Sequence, residues 1–312
     1  MYLSYLLIDV GDNPDRPRPG RLWLRNLYHV HQRLCMAFPS NPRKRRDPDF
    51  LAPYAPEDFP EQRHLADKKK TEVDPEILKH VHSKRGPDSG FLFRIDPQPG
   101  GRVVILVQSA AKPDWDYAFH NAGYLLAAPP QVKSFDPSFK PRQRLRFCLL
   151  VNPTRKVGTI NKAERQSLSK DELAQKQGRH GRRVPVPSAR EIEDWLRKNA
   201  NQDPRPFIES KLLEWLANRG ATSGFCLDQR STIVQPSYQY FNKRPVVGKE
   251  EAEALRKSQQ ARLRSVRYEG ILQVTEPAPF RETLIHGIGP GKAFGFGLLS
   301  VAPCHTPVPA EQ

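Results

Sequence analysis

The sequence predicts an α+β protein made of two tandem ferredoxin-like domains, each with the RRM-like order βαββαβ. Two observations support this fold class. Short apolar runs rich in β-branched and aromatic residues alternate with stretches of helical periodicity, and the order of these segments occurs twice along the chain. The length of 312 residues is enough for two domains of ordinary size, each with its own core.

The first half of the chain contains one copy of this order. A buried strand is predicted at 2–10 (YLSYLLIDV), and a helix follows from about 22 to 38. A hairpin is predicted from FLFRI and RVVILVQS, which DPQPGG joins. The second helix is predicted at DWDYAFHNAGYLLA and the fourth strand at QVKSF. A polar segment rich in proline and charge, at about 40–89, is predicted to be an insertion before the hairpin.

The second half repeats the order with longer connections. It opens with the strand RLRFCLLV at 144–151, which a long, strongly basic connection follows. Two helices are predicted at SAREIEDWLRKNA and PFIESKLLEWLANRG, and two strands at SGFCLDQRSTIVQ and RLRSVRYEGILQV. A short helix, PFRETLIHGI, leads through a glycine-rich loop to the last strand, FGLLSVA. We therefore predict an N-terminal domain at 1–139, a C-terminal domain at 140–305 and a disordered tail at 306–312.

The charge of the chain favours a polyanionic partner. Lys and Arg number 50 against 34 Asp and Glu, which gives a formal net charge of +16. The alternative is a basic surface that is merely solvated. Four cysteines stand far apart with no C-x-x-C pair, which favours reduced thiols. The opening MYLSYLLIDV lacks the basic region of a signal peptide, and no apolar run reaches the about 18 residues of a membrane span, so we expect a cytoplasmic protein with no membrane partner.

The glycine-rich loop HGIGPGKAFGFGLLS at 286–300 fits neither of the common nucleotide-binding loops. In a Walker A alignment, His286 stands in place of the first glycine and Ala293 in place of the Mg²⁺-binding hydroxyl. In a Rossmann alignment, Lys292 occupies the third glycine position, and the loop precedes a strand instead of opening a helix. A mononucleotide or dinucleotide loop is therefore excluded.

Two histidines of the first predicted helix are separated by helical geometry. At about 100° per residue, one apolar arc contains Leu24, Leu27, Leu34 and Phe38. His31 falls within this arc and Tyr28 at its edge, whereas His29 points to the polar side. Because residues at i and i+3 are neighbours on a helix, Tyr28 and His31 can share one site. Spacing alone favours an ordinary half-buried histidine beside a packing tyrosine over a catalytic pair.

Several motifs occur in a familiar order between Met1 and about Pro303: MYLS, RNLYHVHQRLCMAFP, LVQSA, RFCLLVNPTRK, RYEGILQV and GIGPGKAFGFGLLSVAP. In these motifs the chain resembles the CRISPR-associated endoribonuclease family Cas6, and within it the Cas6e (CasE, Cse3) branch of type I-E systems. The segment 40–89 is longer than the usual connection of the family, so its role stays open.

The resemblance implies cleavage of precursor CRISPR RNA at the 3′ base of the repeat stem-loop, with no metal and no cofactor. The 2′-hydroxyl would attack the scissile phosphate and give a 2′,3′-cyclic phosphate and a 5′-hydroxyl. The match to the family's Tyr-x-x-His reverses the preference from spacing: His31 becomes the general acid–base residue, and Tyr28 orients the ribose or stabilises developing charge.

The resemblance also implies an RNA-binding surface. A basic hairpin after the first C-terminal strand would contact the base of the RNA stem, although a flexible solvated loop is the alternative. Its basic residues are Arg155, Lys156, Lys162, Arg165, Lys170, Lys176, Arg179, Arg182 and Arg183. Arg25, one helical turn before Tyr28, is a further phosphate-binding candidate.

For the glycine loop, the resemblance implies close approach of the backbone to RNA at Gly287, Gly289 and Gly291. Lys292 would add a phosphate contact, while two phenylalanines, Phe294 and Phe296, would anchor the loop in the core. A tight turn without RNA contact is an equally good explanation for most individual glycines.

The implied partners are a CRISPR repeat stem-loop RNA and the other Cas proteins of a Cascade complex, in which the chain would keep its product bound. One alternative is a non-catalytic subunit that binds the guide-RNA hairpin, which would have no need of Tyr28 and His31 on one face. Another is a basic structural subunit that uses its sheets for protein contacts and binds RNA only weakly.

Overall fold

The structure, a computed structural model, describes residues 1–11, 18–38, 90–157, 169, 172, 182–242 and 260–304. The predicted insertion at 40–89 and the predicted tail at 306–312 lie outside the described residues. All four cysteines belong to the described part of the chain, and all are free thiols.

Four strands of the first half form one antiparallel sheet in the order β2-β3-β1-β4. This is the spatial order of a βαββαβ unit. The elements are β1 (Tyr2–Ile8), α1 (Pro19–Leu24), α2 (Leu27–Cys35), β2 (Phe91–Pro97), β3 (Val103–Ser109), α3 (Trp115–Phe119) and β4 (Gln131–Ser134). The second helix is shorter than predicted: α3 ends at Phe119, and the rest of the predicted helix contains only a separate 3₁₀ turn at Gly123–Leu125.

The first predicted helix is divided in two. α1 begins with Pro19 at its first position, three residues earlier than predicted, and ends at Leu24. Asn26 leaves the helical conformation, and its side chain accepts a hydrogen bond from the backbone N–H of Tyr28 at 3.1 Å. Because asparagine is a favoured N-cap, a new helix begins at Leu27. The prediction of one continuous helix was wrong, and Tyr28 lies in the first turn of α2.

The helices cover one face of this sheet. α2 buries Leu27, Val30 and Leu34, at a spacing of three and four residues, against the sheet. The apolar core below it includes Phe93 of β2 and Ile105 of β3, both fully buried. Val30 extends the predicted apolar arc and fixes the face of α2 that points inward.

The second half forms a sheet in the order β11-β5-β10-β8, with β9 also paired to β10. The elements are β5 (Arg144–Val151), β6 (Thr154–Val157), β7 (Arg182–Pro185), α4 (Ala189–Lys198), α5 (Arg205–Thr222), β8 (Phe225–Leu227), β9 (Ile233–Asn242), β10 (Gln260–Val274), α6 (Pro277–His286) and β11 (Leu299–Pro303). β6 and β7 form a separate two-stranded ribbon. With its second ferredoxin-like sheet, the chain has the predicted α+β fold class.

One predicted strand of this half is two strands. SGFCLDQRSTIVQ contains β8 and β9, which a turn at Asp228–Ser231 separates. The carbonyl of Asp228 accepts hydrogen bonds from Ser231 N–H at 3.2 Å and from the Thr232 hydroxyl at 2.7 Å. These bonds satisfy the backbone of the turn internally, so the strand is interrupted at the polar run DQRST between its two apolar parts.

The two sheets meet through residues on the face of the first sheet away from its helices. Leu92 and Leu106 form a small buried cluster with Leu298, which precedes β11. Beside it, Asp96 is hydrogen-bonded by Arg94 and Arg267. Burial acts to raise the pKa of Asp96, but the hydrogen bonds and charges of the two guanidinium groups outweigh it and hold this pKa below its ordinary value.

The depressed pKa of Asp96 predicts a loss of stability in acid. Because the folded-state pKa lies below the unfolded value of about 3.9, ionised Asp96 stabilises the fold above about pH 4, and this contribution is lost as the pH falls through the folded-state pKa. We expect the difference in free energy of unfolding between wild type and Asp96→Asn to shrink as the pH falls from 6 to below about 4. Urea denaturation across this range measures it, and a constant difference would contradict the prediction.

Candidate active site and RNA-binding surface

His31 lies on α2 at the border between core and solvent, as the helical geometry predicts. Its half-buried ring is stacked on Phe93, with centroids 6.3 Å apart and planes 15° apart, and is tilted against Phe91 at 5.5 Å. One turn later, Cys35 Sγ is 3.6 Å from His31 Nε2. The imidazole is therefore held on a platform formed by two aromatic side chains of β2.

Tyr28 precedes His31 by one turn and is 38% exposed. The N-cap Asn26 fixes the backbone of this turn, while the exposed His29 ring lies 6.4 Å from the Tyr28 ring. An exposed phenol and a half-buried imidazole on adjacent turns can offer a hydrogen-bond donor and a proton acceptor to one bound molecule.

The glycine-rich loop between α6 and β11 packs against the His31 helix. Its 3₁₀ turn at Lys292–Phe294 contacts α2 and β2. Positive φ angles occur at Gly287, Gly289, Gly291, Gly295 and Gly297. A Cβ placed on Gly295 would lie 3.2 Å from Phe93, the residue on which His31 is stacked. The loop and the candidate catalytic helix therefore share one neighbour in β2.

Space around the three predicted RNA-contacting glycines differs. A Cβ on Gly287 would lie 2.6 Å from the carbonyl oxygen of Gly297 and 2.8 Å from Leu92 Cδ1, and one on Gly291 would lie 2.9 Å from Phe296. Close packing inside the protein thus accounts for these two glycines. At Gly289 the nearest atom, in the Trp215 ring, is 3.6 Å away, so backbone conformation alone favours glycine there.

This difference predicts unequal effects of two alanine substitutions. Gly287→Ala and Gly289→Ala both place a side chain at positive φ, which costs about 1–2 kcal/mol. Only Gly287→Ala also creates an overlap with packed atoms, for a further about 1–3 kcal/mol. Urea denaturation should show a larger loss of stability for Gly287→Ala, and equal losses would mean that the loop rearranges freely.

The other predicted loop residues divide into core and surface. Phe296 is fully buried, as predicted for an anchor, whereas Phe294 is half-buried in the turn against α2. Lys292 is half-buried, and its Cγ lies 3.4 Å from the Cβ position of Gly297. The stem of Lys292 therefore packs on the loop itself.

The basic ribbon of β6 and β7 carries four exposed residues of the predicted RNA-binding set: Arg155, Lys156, Arg182 and Arg183. The remaining members, Lys162, Arg165, Lys170, Lys176 and Arg179, lie outside the described residues.

Arg155 forms an ion pair with Glu191 of α4 at 3.0 Å. Burial acts to raise the pKa of Glu191, but hydrogen bonds from Ser188 and the charge of Arg155 lower it below its ordinary value. The charge of Arg155 is therefore partly neutralised by Glu191 of α4. The exposed side chains of Lys156 and Arg182 are better candidates than Arg155 for binding a polyanion.

The base of the ribbon is fixed by two residues that the sequence did not single out. Trp215 of α5 donates its indole N–H to the carbonyl of Thr154 at 3.1 Å. Arg264 of β10 donates to the carbonyls of Val186 at 3.0 Å and Pro187 at 2.9 Å. Trp215 occupies an apolar position in a predicted helix, and nothing in the sequence signals its hydrogen bond across the fold.

Trp215 also joins the ribbon to the glycine loop, because it borders Gly289. The helix α2, the loop and the base of the ribbon thus form one continuous chain of contacts, and His31 is linked to the loop through Phe93. Arg25 is exposed at the C-cap of α1, before the Asn26 cap, and so does not lie on the same helix as Tyr28. Its predicted position one turn before Tyr28 was wrong, since the helix is broken there.

Among the residues that the structure describes, no group of three or more His, Cys, Asp and Glu side chains is placed to hold a metal ion. Within the same ranges, no helix has the length and apolar character needed to cross a membrane.

Comparison with known proteins identifies a family that the sequence of this chain matches. The model of a family described as CRISPR associated protein matches residues 76–303. The chain belongs to this family. The CRISPR-associated endoribonuclease Cse3 of Thermus thermophilus is 30% identical over 214 residues, which are 68% of this chain and 80% of the relative. This similarity identifies the chain as a Cas6e (Cse3)-type protein and confirms the resemblance drawn from its motifs.

Solved structures agree with the fold of this Cas6e-type chain. A structure of the CRISPR endoribonuclease Cse3 bound to a 19-nucleotide RNA has a TM-score of 0.54 at 26% identity, and the match covers 97% of this chain and 100% of that one. A second, of Thermus thermophilus Cse3 bound to an RNA representing a pre-cleavage complex, has a TM-score of 0.53 at 24% identity over 97% and 98% of the two chains. The second match bears on the fold alone.

Proposed function

We propose that this chain is a CRISPR RNA-processing endoribonuclease that cleaves precursor CRISPR RNA at the 3′ base of the repeat stem-loop. The observation that carries the proposal is the helix α2, which has Tyr28 and His31 on adjacent turns and packs against the glycine loop that Trp215 joins to the basic ribbon. Family membership supports it, since the Thermus relative is named an endoribonuclease and a Cse3 structure of similar fold holds RNA.

The reaction needs only groups that RNA and this helix supply. The 2′-oxygen forms a bond to the scissile phosphorus while the bond to the 5′-oxygen breaks. The 2′-hydroxyl loses a proton and the leaving 5′-oxygen gains one, which gives a 2′,3′-cyclic phosphate and a 5′-hydroxyl. An imidazole with an ordinary pKa of about 6.5 can move either proton near neutral pH without a metal ion. His31 takes this role, and the exposed Tyr28 hydroxyl donates to the ribose or phosphate.

Binding of the stem rests on the basic residues. Lys156, Arg182 and Arg183 of the ribbon contact phosphates, as do Lys292 and Arg25 at the two sides of α2. Arg155 and the basic residues of the segment between β6 and β7 add further positive charge for the RNA. A regular A-form major groove is too narrow for side-chain reading, so the ribbon recognises shape at the end of the stem.

We further infer that the chain retains its product hairpin and joins other Cas proteins in a cytoplasmic Cascade complex. Each ferredoxin-like unit is then one domain, at 1–139 and 140–305, and RNA binds across both. A non-catalytic role as a guide-RNA cap is the second candidate, because the stacking of His31 on Phe93 would also suit a purely structural histidine.

The test uses a labelled repeat hairpin that carries a few extra 3′ nucleotides, incubated with the protein in EDTA. A matched hairpin with a 2′-deoxy group at the cut site is the control. Cleavage of the all-ribose RNA alone, with a cyclic phosphate on the product, is the expected result. Tight binding of both hairpins without cleavage would instead favour the guide-RNA cap.

A further inference from the structure

A buried ion cluster joins the two sheets behind the candidate active site. Arg94 and Asp96 of β2 are only 4% and 8% exposed. Arg94 Nε lies 2.8 Å from Asp96 Oδ1, and its Nη2 lies 2.8 Å from Oδ2, so the contact is bidentate. Arg267 of β10 donates to Asp96 Oδ1 at 2.9 Å and also to Glu269. Two strands of different sheets are thus tied by one carboxylate.

Arg94 uses its remaining nitrogen for backbone of the second sheet. Its Nη1 donates to the carbonyl of Cys148 at 3.0 Å and to the carbonyl of Leu298 at 3.4 Å. Leu298 is the last residue of the glycine loop before β11, and its neighbour Gly297 donates its N–H to the carbonyl of Leu150 at 2.7 Å. The guanidinium therefore holds the C-terminal end of the loop from the side of the first sheet.

The two residues before Arg94 contact the same loop. Leu92 borders Gly287, where the loop begins, and packs on Leu298, where it ends. Phe93 borders Gly295 on the other face of β2 and carries the stacked ring of His31. Three consecutive residues of β2 thus fix the loop, and one of them also fixes the imidazole.

Stability alone does not explain why this position is charged. A buried ion pair gains little over apolar side chains of similar volume, because both charges must first leave water. Apolar residues would nevertheless lack donors for the carbonyls of Cys148 and Leu298. What the charged pair adds is a fixed geometry between loop and helix.

We propose that Arg94, oriented by Asp96 and Arg267, is a positioning residue that sets the distance between the glycine loop and His31. This inference rests on the proposed function, because the distance matters only if RNA bound on the loop is cut beside His31. Reaction rates depend steeply on such distances, and a displacement of about 1 Å can cost on the order of 100-fold.

The main test replaces the pair by apolar residues of similar size, Arg94→Met with Asp96→Leu, and leaves Arg267 bonded to Glu269. The control is Arg144→Gln with Asp228→Asn, which removes an exposed ion pair of 3.3 Å in the second sheet. Single-turnover cleavage, hairpin affinity and urea denaturation are measured for each protein. A second variant, Asp96→Asn, keeps the shape of the site and serves if the apolar pair does not fold.

We expect the apolar pair to fold, to bind the hairpin within about threefold of wild type and to cleave it at least about tenfold more slowly. Asp96→Asn should likewise bind with nearly unchanged affinity and cleave more slowly. The control variant should match wild type in both affinity and rate. Folded variants that cleave at the wild-type rate, or lose rate only in proportion to affinity, would overturn the inference. Failure of wild type to cleave would instead reject the proposed function, so the two failures are distinct.

Discussion

Replacing His31 by alanine is expected to stop cleavage of the repeat hairpin while leaving its binding nearly unchanged. General acid–base catalysis contributes about 10²–10⁴-fold to a rate, so the single-turnover rate should fall by this factor. Binding should persist because the proposed phosphate contacts lie on the ribbon and the loop. Rate and affinity are measured on the same labelled hairpin, in EDTA and at saturating protein.

Two controls separate chemistry from folding in this experiment. His29→Ala changes the neighbouring histidine, which is exposed, and should cleave at the wild-type rate. His31→Gln keeps a planar polar side chain over Phe93 and should be as inactive as alanine while remaining folded. Cleavage that survives both His31 substitutions would move the catalytic role to another residue and contradict the assignment.

The glycine loop shows what could be predicted from sequence and what could not. Its mismatch with nucleotide-binding loops was evident from His286 and Ala293 alone. The tight packing of Gly287 against Leu92 was not, because it depends on a contact between residues nearly 200 positions apart, across two sheets. The sequence around a glycine indicates which backbone conformations are possible there. Whether glycine is required at that position depends on contacts that exist only in the folded protein.

The sheet-forming strands were largely predictable because most of them alternate or bury apolar residues and each unit repeats βαββαβ, whereas β4 is exposed along its whole length. Two of the errors occurred where a polar side chain bonds to the backbone locally: Asn26 caps a new helix, and the Thr232 hydroxyl donates to the carbonyl of Asp228 in the turn between β8 and β9. Such local hydrogen bonds interrupt an element that a pattern of apolar residues predicts as continuous. Periodicity is therefore a better guide to the presence of an element than to its ends.

Arg94 shows which residues around the candidate site could not be predicted from the sequence. FLFRI predicts a strand, but nothing in this stretch indicates that its arginine is buried, since most arginines are exposed. The residue is buried because the second sheet covers that face and supplies Arg267 and two carbonyls. Tyr28 and His31 could be identified on one helix, but the residues that hold them beside the loop come from strands distant in sequence.

Removing two charges from the basic ribbon is expected to weaken RNA binding and its dependence on salt. Lys156→Gln with Arg182→Gln changes two exposed side chains and leaves the anchors of the ribbon, Trp215 and Arg264, in place. Each lost phosphate contact should lower the slope of log affinity against log salt by about 0.7–0.9, so the double variant should lose about 1.5. Affinities for the hairpin between about 50 and 300 mM salt measure this slope.

A second pair of substitutions tests whether position or only total charge matters. Arg102→Gln with Lys133→Gln removes the same two charges from exposed sites of the first sheet, on the β2–β3 turn and the edge strand β4. Arg102 stands at the end of the β2–β3 hairpin opposite Phe91, and so away from His31. This pair should change the slope little, because charges more than about 10 Å from the phosphates are screened. Equal loss in both pairs would mean that the net charge of +16 attracts RNA without the ribbon binding it directly.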